Sequence, residues 1–319
     1  AEIFKAAEES SSDVYYEASV AGGIPVIKAM REGLAANRII EIVGILNGTC
    51  NYILTRMETE KADFDGVLTA AQEAGYAEAD PSFDVDGIDT AHKATILASL
   101  AYGEWFGMAP VYVEGIRGVT LPDIEYAANL GYRIKLLAII KQQDANVQMR
   151  VHPALIPTSS LLGHVSGVFN AVWVEGDTVG GTMYYGRGAG RKATASAVVA
   201  DIMDVGLNLK FGSHRRVPAF RPHCAYTDIV PMADITTRYY LRLQVEDQPG
   251  VLALISGILG KANIGIASVS QQETSQASVP MIILTHRAKE SDMQAALDKM
   301  RQLDEVVEPP VIFRIEDLG

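Results

Sequence analysis

The C-terminal part of the chain, from about residue 236, alternates between strand and helix patterns in an order that few folds accommodate. Alternating apolar residues predict strands, and apolar residues at helical spacing predict helices. In chain order the predicted elements are Tyr239–Glu246, Pro249–Ala262, Ile264–Gln272, Val279–His286, Asp292–Leu303 and Pro310–Ile315. The order βαββαβ is that of a ferredoxin-like unit. We therefore place a domain boundary near Ala233.

The residues before this boundary have the mixed pattern of an α+β domain. We predict strands at 13–20, 38–46, 133–142, 147–151, 171–175 and 178–184, and helices that begin near residues 25, 51, 64, 86 and 193. Asp86 is expected to cap its helix, because Asp89 stands at the N3 position of a capping box. Gly75 is placed to end the helix that begins at Phe64.

Charge and cysteine content exclude several classes of protein. The net charge of −12 and the absence of a long Lys/Arg tract argue against a nucleic-acid partner, and the short basic patch at 214–216 is interpreted as a solvated loop. Two cysteines exclude a disulfide scaffold and a four-cysteine zinc site. They fit a reducing, cytoplasmic compartment. No apolar run approaches the roughly 20 residues of a membrane span.

One glycine-rich stretch, from Gly186 to Arg191, invites comparison with nucleotide-binding loops. A dinucleotide fingerprint needs glycine or alanine at its last position, where Arg191 stands, and a phosphate loop needs glycine followed by lysine. Neither motif is met. The stretch predicts a tight turn into the next helix, and its spacing leaves open whether its amides approach a ligand.

A cluster of acidic residues precedes a lysine; its members are Glu78, Asp84, Asp86, Asp89 and Lys93. A calcium loop aligned on these acids would begin at Ser82 and end at Lys93, where carboxylates are required, so we exclude calcium. The i, i+4 spacing of Asp89 and Lys93 fits a surface ion pair worth about 0.2–0.5 kcal/mol. The alternative is a lysine kept protonated among carboxylates and used as a general acid. Spacing alone favours the surface ion pair, whereas the density of acids just before the helix favours this alternative.

Several segments, in the same order, resemble the homoserine dehydrogenase family. They are Tyr16–Pro25 (YEASVAGGIP), Gly44–Thr49 (GILNGT), Gly75–Pro81 (GYAEADP), Asp84–Lys93 (DVDGIDTAHK) and the glycine loop at 185–190. The likeness covers about residues 1–232. It implies an NAD(P)-dependent interconversion of L-homoserine and L-aspartate 4-semialdehyde, in the biosynthesis of threonine, methionine and isoleucine.

The resemblance also implies roles for individual residues. Lys93 would be the proton donor, while Glu78 and Asp89 would hold homoserine with Thr49 nearby. The residues expected to approach the cofactor are Gly75, Gly188 and Gly190. The backbone carbonyls expected to hold a sodium ion are those of Glu17, Val20, Gly22 and Ile24. Hard oxygen ligands at a glycine turn suit such a cation.

The C-terminal unit, about residues 236–319, resembles an ACT domain through Asp247–Val251 and the pair Asn263–Ile264. Such domains bind small amino acids between paired copies. The resemblance therefore implies a regulatory ligand at Asp247, Gly250 and Asn263, with threonine as the candidate effector. It also implies a homodimer or homotetramer.

The family also carries an N-terminal nucleotide-binding domain, whose fingerprint is absent from this sequence. We accordingly expect residues 1–15 to be a remnant of that domain, 16–233 to be the catalytic and dimerisation domain, and 234–319 to be the ACT domain. Little turnover is expected from this chain alone. Two alternatives remain: a non-catalytic amino-acid sensor and a different small-aldehyde reductase on the same scaffold. The preference between NAD and NADP stays open.

Overall fold

The computed structural model describes residues 2–213, 220, 228–271 and 278–317. The basic patch at 214–216 lies outside this part of the chain. The helices are α1 (Glu2–Glu9), α2 (Val26–Lys28, continued by a π-helical turn Ala29–Gly33), α3 (Gly48–Glu60), α4 (Phe64–Glu73), α5 (Ser82–Val85), α6 (Ile88–Tyr102), α7 (Leu121–Asn129), α8 (Arg191–Phe211), α9 (Val251–Lys261) and α10 (Glu290–Met300). Short 3₁₀ turns occur at Glu17–Ser19, Leu162–His164 and Met232–Asp234.

The strands of the described residues form one mixed sheet. They are β1 (Ile39–Ile45), β2 (Tyr112–Val113), β3 (Tyr132–Gln143), β4 (Asn146–Pro157), β5 (Phe169–Gly176), β6 (Gly180–Arg187), β7 (Thr236–Glu246), β8 (Ile266–Gln271), β9 (Ser278–Thr285), β10 (Ala288–Lys289) and β11 (Val311–Ile315). Their order is β6-β5-β1-β3-β4-β11-β7-β9-β8, with β2 on β4 and β10 on β7. The predicted α+β architecture is confirmed, and β7, β8, β9 and β11 have the order of a ferredoxin-like unit.

The C-terminal unit is continuous with the rest of the sheet because β11 pairs in parallel with β4, through Arg314–Ala154 and Ile315–Leu155. The apolar core also extends across the boundary between the two units. Phe313 and Ile315 belong to the core that helices α3 and α6 build on one face of the sheet, and a second core forms between α9, α10 and the opposite face of the ferredoxin-like unit. The two units therefore share both strand pairing and apolar core.

The predicted strand at 13–20 is wrong. Residues 13–16 have no regular structure, and Glu17–Ser19 is a 3₁₀ turn. The carboxylate of Glu17 turns inward and accepts hydrogen bonds from the amides of Ile27 (2.9 Å) and Lys28 (2.8 Å). Glu17 thus provides hydrogen-bond acceptors for amides at the start of α2, which lack intrahelical partners.

The predicted capping role of Asp86 is also wrong. Gly87, with φ +84°, occupies the N-cap position of α6, and the Asp86 carboxylate instead pairs with Arg117 at 2.5 Å. Arg117 lies 31 residues further along the chain. A local capping pattern could not predict that this arginine binds the Asp86 carboxylate. None of the helices formed by the described residues combines the length and apolar composition needed to cross a lipid bilayer.

Candidate active site

A hydrogen-bonded polar cluster lies where β1 ends and helices α3 and α6 begin. The Lys93 ammonium donates to the Asp89 carboxylate at 2.6 Å and to the Leu46 carbonyl at 3.0 Å. The Asn47 amide donates to Asp84 at 2.6 Å and to Asp89 at 2.9 Å. All five residues come from two motifs, Gly44–Thr49 and Asp84–Lys93, so the fold joins segments that are about 40 residues apart in sequence.

The cluster is partly open to solvent. The side chains of Lys93 and Asp89 are 20% and 19% exposed, which is too buried for a freely solvated surface pair and open enough to meet a small substrate. Both ammonium contacts hold Lys93 in one direction. The interpretation of a positioned lysine among carboxylates is therefore favoured by the geometry over that of a solvated helix face.

Asn47 is a member of this cluster that the sequence analysis did not single out. It is 5% exposed, and its side-chain oxygen accepts the Cys50 amide at 2.8 Å as the N-cap of α3. An N-cap of this kind contributes about 1 kcal/mol to helix stability. The Asn-Gly-Thr sequence after a strand could have signalled the cap, whereas no local pattern signals its contacts with the two aspartates.

The segment from Gly75 to Asp80 is tied to the same helix end. The Thr49 hydroxyl donates to the Tyr76 carbonyl at 2.9 Å, and the Gln72 side chain donates to the carbonyl of Glu78 at 3.0 Å. Glu78 itself is exposed and lies outside the hydrogen-bonded cluster of Lys93. Gly75 has φ +74° with open space where a side chain would stand.

The glycine loop packs directly on the turn that was expected to hold sodium. A Cβ on Gly22 would stand 2.3 Å from the Gly188 carbonyl oxygen, and the Gly23 amide donates to the Arg187 carbonyl at 3.1 Å. Gly190, with φ +114°, is the N-cap of α8 and faces open space. The fold therefore brings the expected cofactor-contacting loop and the expected ion-binding turn into contact.

That turn has an unusual backbone. Ala21 and Gly22 both have positive φ, 53° and 45°, and the Ile24 carbonyl already accepts the Val26 amide at 2.8 Å. Within the described residues, no group of three or more His, Cys, Asp and Glu side chains is arranged to hold a metal ion. The expected sodium ligands are main-chain carbonyls, so the absence of such a side-chain group does not bear on them.

Asn170 is a second residue that the sequence analysis missed. It is 1% exposed on β5, and its side chain lies against Gly188, where a Cβ would stand 2.1 Å from the Asn170 amide. Within the described residues its Oδ1 has no hydrogen-bond partner, and this oxygen also lies 3.4 Å from the Cβ position of Gly48. A buried unpaired amide is costly. Asn170 thus stands between the substrate-side helix end and the glycine loop.

Cys50 lies beneath the cluster. It is fully buried, its thiol donates to the Asp84 carbonyl at 3.2 Å, and burial together with the nearby carboxylates raises its pKa well above the ordinary value. Cys50 is therefore a small buried residue of the core. A thiolate nucleophile is excluded at this position.

The three residues expected to bind a regulatory ligand do not come together within one chain. Asp247 and Gly250 precede α9, and Asn263 follows it. The helix is 11 residues long, so its ends are about 16 Å apart at 1.5 Å per residue. Gly250 and Asn263 both have positive φ, 99° and 57°, so each sits at a tight turn that ends or starts the helix.

An α+β domain with a positioned lysine–carboxylate cluster and a glycine loop, fused to a ferredoxin-like unit, defines a two-part metabolic enzyme. Residues 25–203 match the homoserine dehydrogenase family, and residues 239–305 match the ACT domain. The chain is 49% identical to a homoserine dehydrogenase from Pseudomonas aeruginosa over 324 residues, covering 100% of this chain and 74% of that protein. For a Neisseria gonorrhoeae relative the identity is 47%, with 99% and 74% covered.

This chain belongs to the homoserine dehydrogenase family, whose members are NAD(P)-dependent oxidoreductases of amino-acid biosynthesis. The solved homoserine dehydrogenase of Thiobacillus denitrificans superposes with a TM-score of 0.94 at 50% identity, covering 100% of this chain and 73% of that one. A hyperthermophilic archaeal homoserine dehydrogenase, solved in complex with NADPH, gives a TM-score of 0.56 at 31% identity, with 65% and 60% covered. The alternative of a non-catalytic sensor is not favoured.

Proposed function

We propose that Lys93 is the proton donor and acceptor in the interconversion of L-homoserine and L-aspartate 4-semialdehyde. The observation that carries this proposal is the double anchoring of the Lys93 ammonium by Asp89 and the Leu46 carbonyl. The Asp89 carboxylate at 2.6 Å fixes the direction of the Lys93 side chain. In the reducing direction this ammonium gives its proton to the oxygen of the aldehyde as negative charge develops there. In the oxidising direction the amine takes the proton of the hydroxyl.

The substrate carries an ammonium group that needs acidic partners. Asp84 and Asp89 are both oriented by Asn47, and Asp89 is the carboxylate that we assign to the substrate together with Glu78. Thr49 holds the segment that carries Glu78 through its bond to Tyr76. A closure of this exposed segment over the cluster would bring the Glu78 carboxylate to the substrate and exclude water.

The glycine loop fits a nicotinamide dinucleotide. Gly190 and Gly75 have positive φ and open space beside them, so backbone can approach a ligand there. Helix α8 starts at Arg191 with no acidic residue in its first turn, which suits the negative charge of a phosphate group. When bound, the cofactor takes up or gives the hydride. Gly75, Gly188 and Gly190 would hold it.

We also propose a sodium ion at the turn formed by Glu17, Val20, Gly22 and Ile24. The supporting observation is that this turn packs against the glycine loop. Ala21 and Gly22 have positive φ, and the Ile24 amide closes the turn by donating to the Ala21 carbonyl at 2.9 Å. Because this turn touches Gly188, an ion there would stiffen the loop that meets the cofactor.

The biological setting follows from these assignments. We propose a role in threonine, methionine and isoleucine synthesis, a cytoplasmic location, and a threonine effector bound between ACT units of a homodimer or homotetramer. The separation of Asp247 and Gly250 from Asn263 by helix α9 supports a site that combines residues of two subunits.

The experiment is a steady-state assay of the complete gene product that carries this chain, with L-homoserine and either NADP⁺ or NAD⁺. We expect homoserine-dependent reduction of the nucleotide, with the semialdehyde trapped as a hydrazone. L-2-Aminobutyrate, which lacks the hydroxyl, is the control and should give no signal. Homoserine binding without turnover would contradict the proposal and restore the sensor alternative. Equal rates with simple aliphatic alcohols would instead indicate a general alcohol dehydrogenase.

A further inference from the structure

Arg314, on the last strand of the ACT domain, is buried among partners from both halves of the molecule. Its side chain is 2% exposed. Its guanidinium binds Glu290 of α10 in a bidentate manner, at 2.6 and 3.1 Å, and donates to Glu114 at 2.6 Å. A planar five-donor group suits such a fork between two carboxylates. One side chain thus connects an ACT helix with the catalytic domain.

The catalytic-domain partners of Arg314 lie on and beside the short strand β2. Tyr112 donates its hydroxyl to Glu114 at 2.7 Å, and its ring lies 5.0 Å from the Arg314 guanidinium carbon. The Glu114 carboxylate is 36% exposed. The contact therefore fixes the direction of a two-residue strand that has little pairing of its own.

Strands β2 and β11 lie on the same edge of β4. Strand β3 pairs with β4 along the whole of 146–157, so β2, at Arg150 and Val151, and β11, at Ala154 and Leu155, must share the opposite edge. Strands β11 and β2 are thus connected both through β4 and through the Arg314–Glu114 contact.

The residues after Glu114 press directly on the turn that starts the active-site helix α6. A Cβ on Gly115 would stand 2.2 Å from the Val85 carbonyl oxygen and 2.5 Å from the Asp86 Cα. The Ile116 amide donates to the Val85 carbonyl at 2.8 Å. Gly87, the N-cap of α6, also contacts this segment, because its Cβ position lies 3.1 Å from Val113 Cγ1 and 3.4 Å from the Glu114 carbonyl oxygen.

Resting on the proposed role of Lys93, we infer that Arg314 and Glu114 are positioning residues for catalysis. They hold the turn at 85–87, and that turn sets the start of the helix that carries Asp89 and Lys93. The ACT domain thus contributes a residue on which the geometry of the proton donor depends. Arg314 acts through Glu114 and touches neither substrate nor cofactor.

The chain offers a matched control in a second ion pair across the same boundary. Arg242 of β7 binds Asp123 of α7 at 2.6 and 3.1 Å, and the Asp123 side chain is fully buried. Helix α7 leads toward the far end of α3, where Lys61 pairs with Glu125. This pair therefore joins the two units without touching the turn at 85–87.

The test compares Glu114→Gln with Asp123→Asn in the complete gene product, measuring kcat, both KM values and the thermal midpoint. Glu114→Gln is expected to lower kcat about tenfold, in line with the cost of a misplaced catalytic group, with the KM for the nicotinamide nucleotide changed less than about twofold. Arg314→Lys, which keeps the charge and loses the fork, should give an intermediate kcat. Asp123→Asn should lower the thermal midpoint and leave kcat unchanged.

Lys93→Met is included so that the two proposals fail separately. If Lys93→Met lowers kcat and Glu114→Gln does not, the positioning role is overturned while the function of Lys93 stands. Equal losses of kcat in Glu114→Gln and Asp123→Asn also overturn it, because a general loosening of the boundary would then explain both. If Lys93→Met keeps full activity, the proposed function itself is overturned.

Discussion

The Lys93 ammonium lies 2.6 Å from the carboxylate of Asp89, one helical turn earlier. The chain has a similar pair on the neighbouring helix α3, where Arg56 binds Glu60 at the same i, i+4 spacing. The two differ in surroundings: Asp89 also accepts from Asn47, and Lys93 also donates to the end of β1. Spacing alone thus describes both pairs, whereas the extra contacts separate a site from a surface ion pair.

Asn47→Ser tests the bridge between the two aspartates. Serine keeps an N-cap side chain and loses the amide that donates to Asp84 and Asp89. A hydrogen bond to a charged group is worth about 1.5–3 kcal/mol, so we expect kcat/KM for homoserine to fall about tenfold or more. Steady-state kinetics at varied homoserine concentration measures kcat/KM. Asn51→Ser, at a buried position whose bonds run to Lys135 and the 165–169 loop, is the control and should lower stability more than activity.

Gly188→Ala tests the glycine loop. The added methyl would stand about 2 Å from the Asn170 amide, which cannot move freely in the core. We expect the KM for the nicotinamide nucleotide to rise about tenfold through displacement of the loop. The control is Gly206→Ala, within helix α8 and with open space around the added methyl. It should raise the free energy of unfolding by up to about 1 kcal/mol. An unchanged KM in Gly188→Ala would remove this loop from cofactor binding.

The sodium proposal predicts a specific ion response. The thermal midpoint should rise with NaCl and not with tetramethylammonium chloride at equal ionic strength, because an ion that binds only the folded state stabilises it by mass action. Gly22→Ala should abolish the response. Gly212→Ala, another positive-φ glycine at a helix end, should lower stability and keep the response. The same midpoint shift with both salts would contradict the site.

Lys135 predicts a pH dependence of stability. Burial lowers its pKa from 10.5 to about 8, and its ammonium binds Asn51 and the Val165 carbonyl. Among the described residues, no carboxylate forms an ion pair with it. Between pH 8 and 10.5 the unfolded chain holds this proton and the folded chain does not, so stability rises with pH across this window, by about 3 kcal/mol. Below pH 8 the full cost of the buried charge is present.

Chemical denaturation at several pH values measures this slope. Lys135→Met should remove it. Lys141→Met, on the same strand with a side chain that is 44% exposed, should retain it. A slope that is the same in wild type and Lys135→Met would show that the buried lysine is not its source.

The strength of the local pattern decided which elements the sequence predicted. Strand β3 and the elements of the ferredoxin-like unit have strong apolar patterns, and their predicted bounds lie close to those observed. Strand β4 was predicted at 147–151, whereas it extends from Asn146 to Pro157. Residues 13–20 also contain β-favouring side chains, yet among the described residues they form no strand, and the Glu17 carboxylate instead accepts hydrogen bonds from the amides of Ile27 and Lys28. Tertiary contacts of this kind override local preference.

The site residues also fall into two groups: those that local motifs predict and those that only tertiary contacts place. Motif resemblance pointed to Lys93 and Asp89, and their spacing is local. Asn170 is a polar residue in the mostly apolar strand β5, and its place beside Gly188 follows from the pairing of β5 with β6. The contact of Arg314 with Glu114 joins residues 200 positions apart, which no periodicity encodes.

The proton-donor role of Lys93 is tested most directly by Lys93→Met and Lys93→Arg in the complete gene product, beside Arg56→Ala as the matched ion-pair control. Loss of a general acid costs about 10²–10⁴ in rate. We predict a fall of at least about a hundredfold in kcat for both Lys93 variants, with a thermal midpoint close to wild type and no effect of Arg56→Ala on kcat. A kcat within a factor of about two of wild type in folded Lys93→Met would contradict the account.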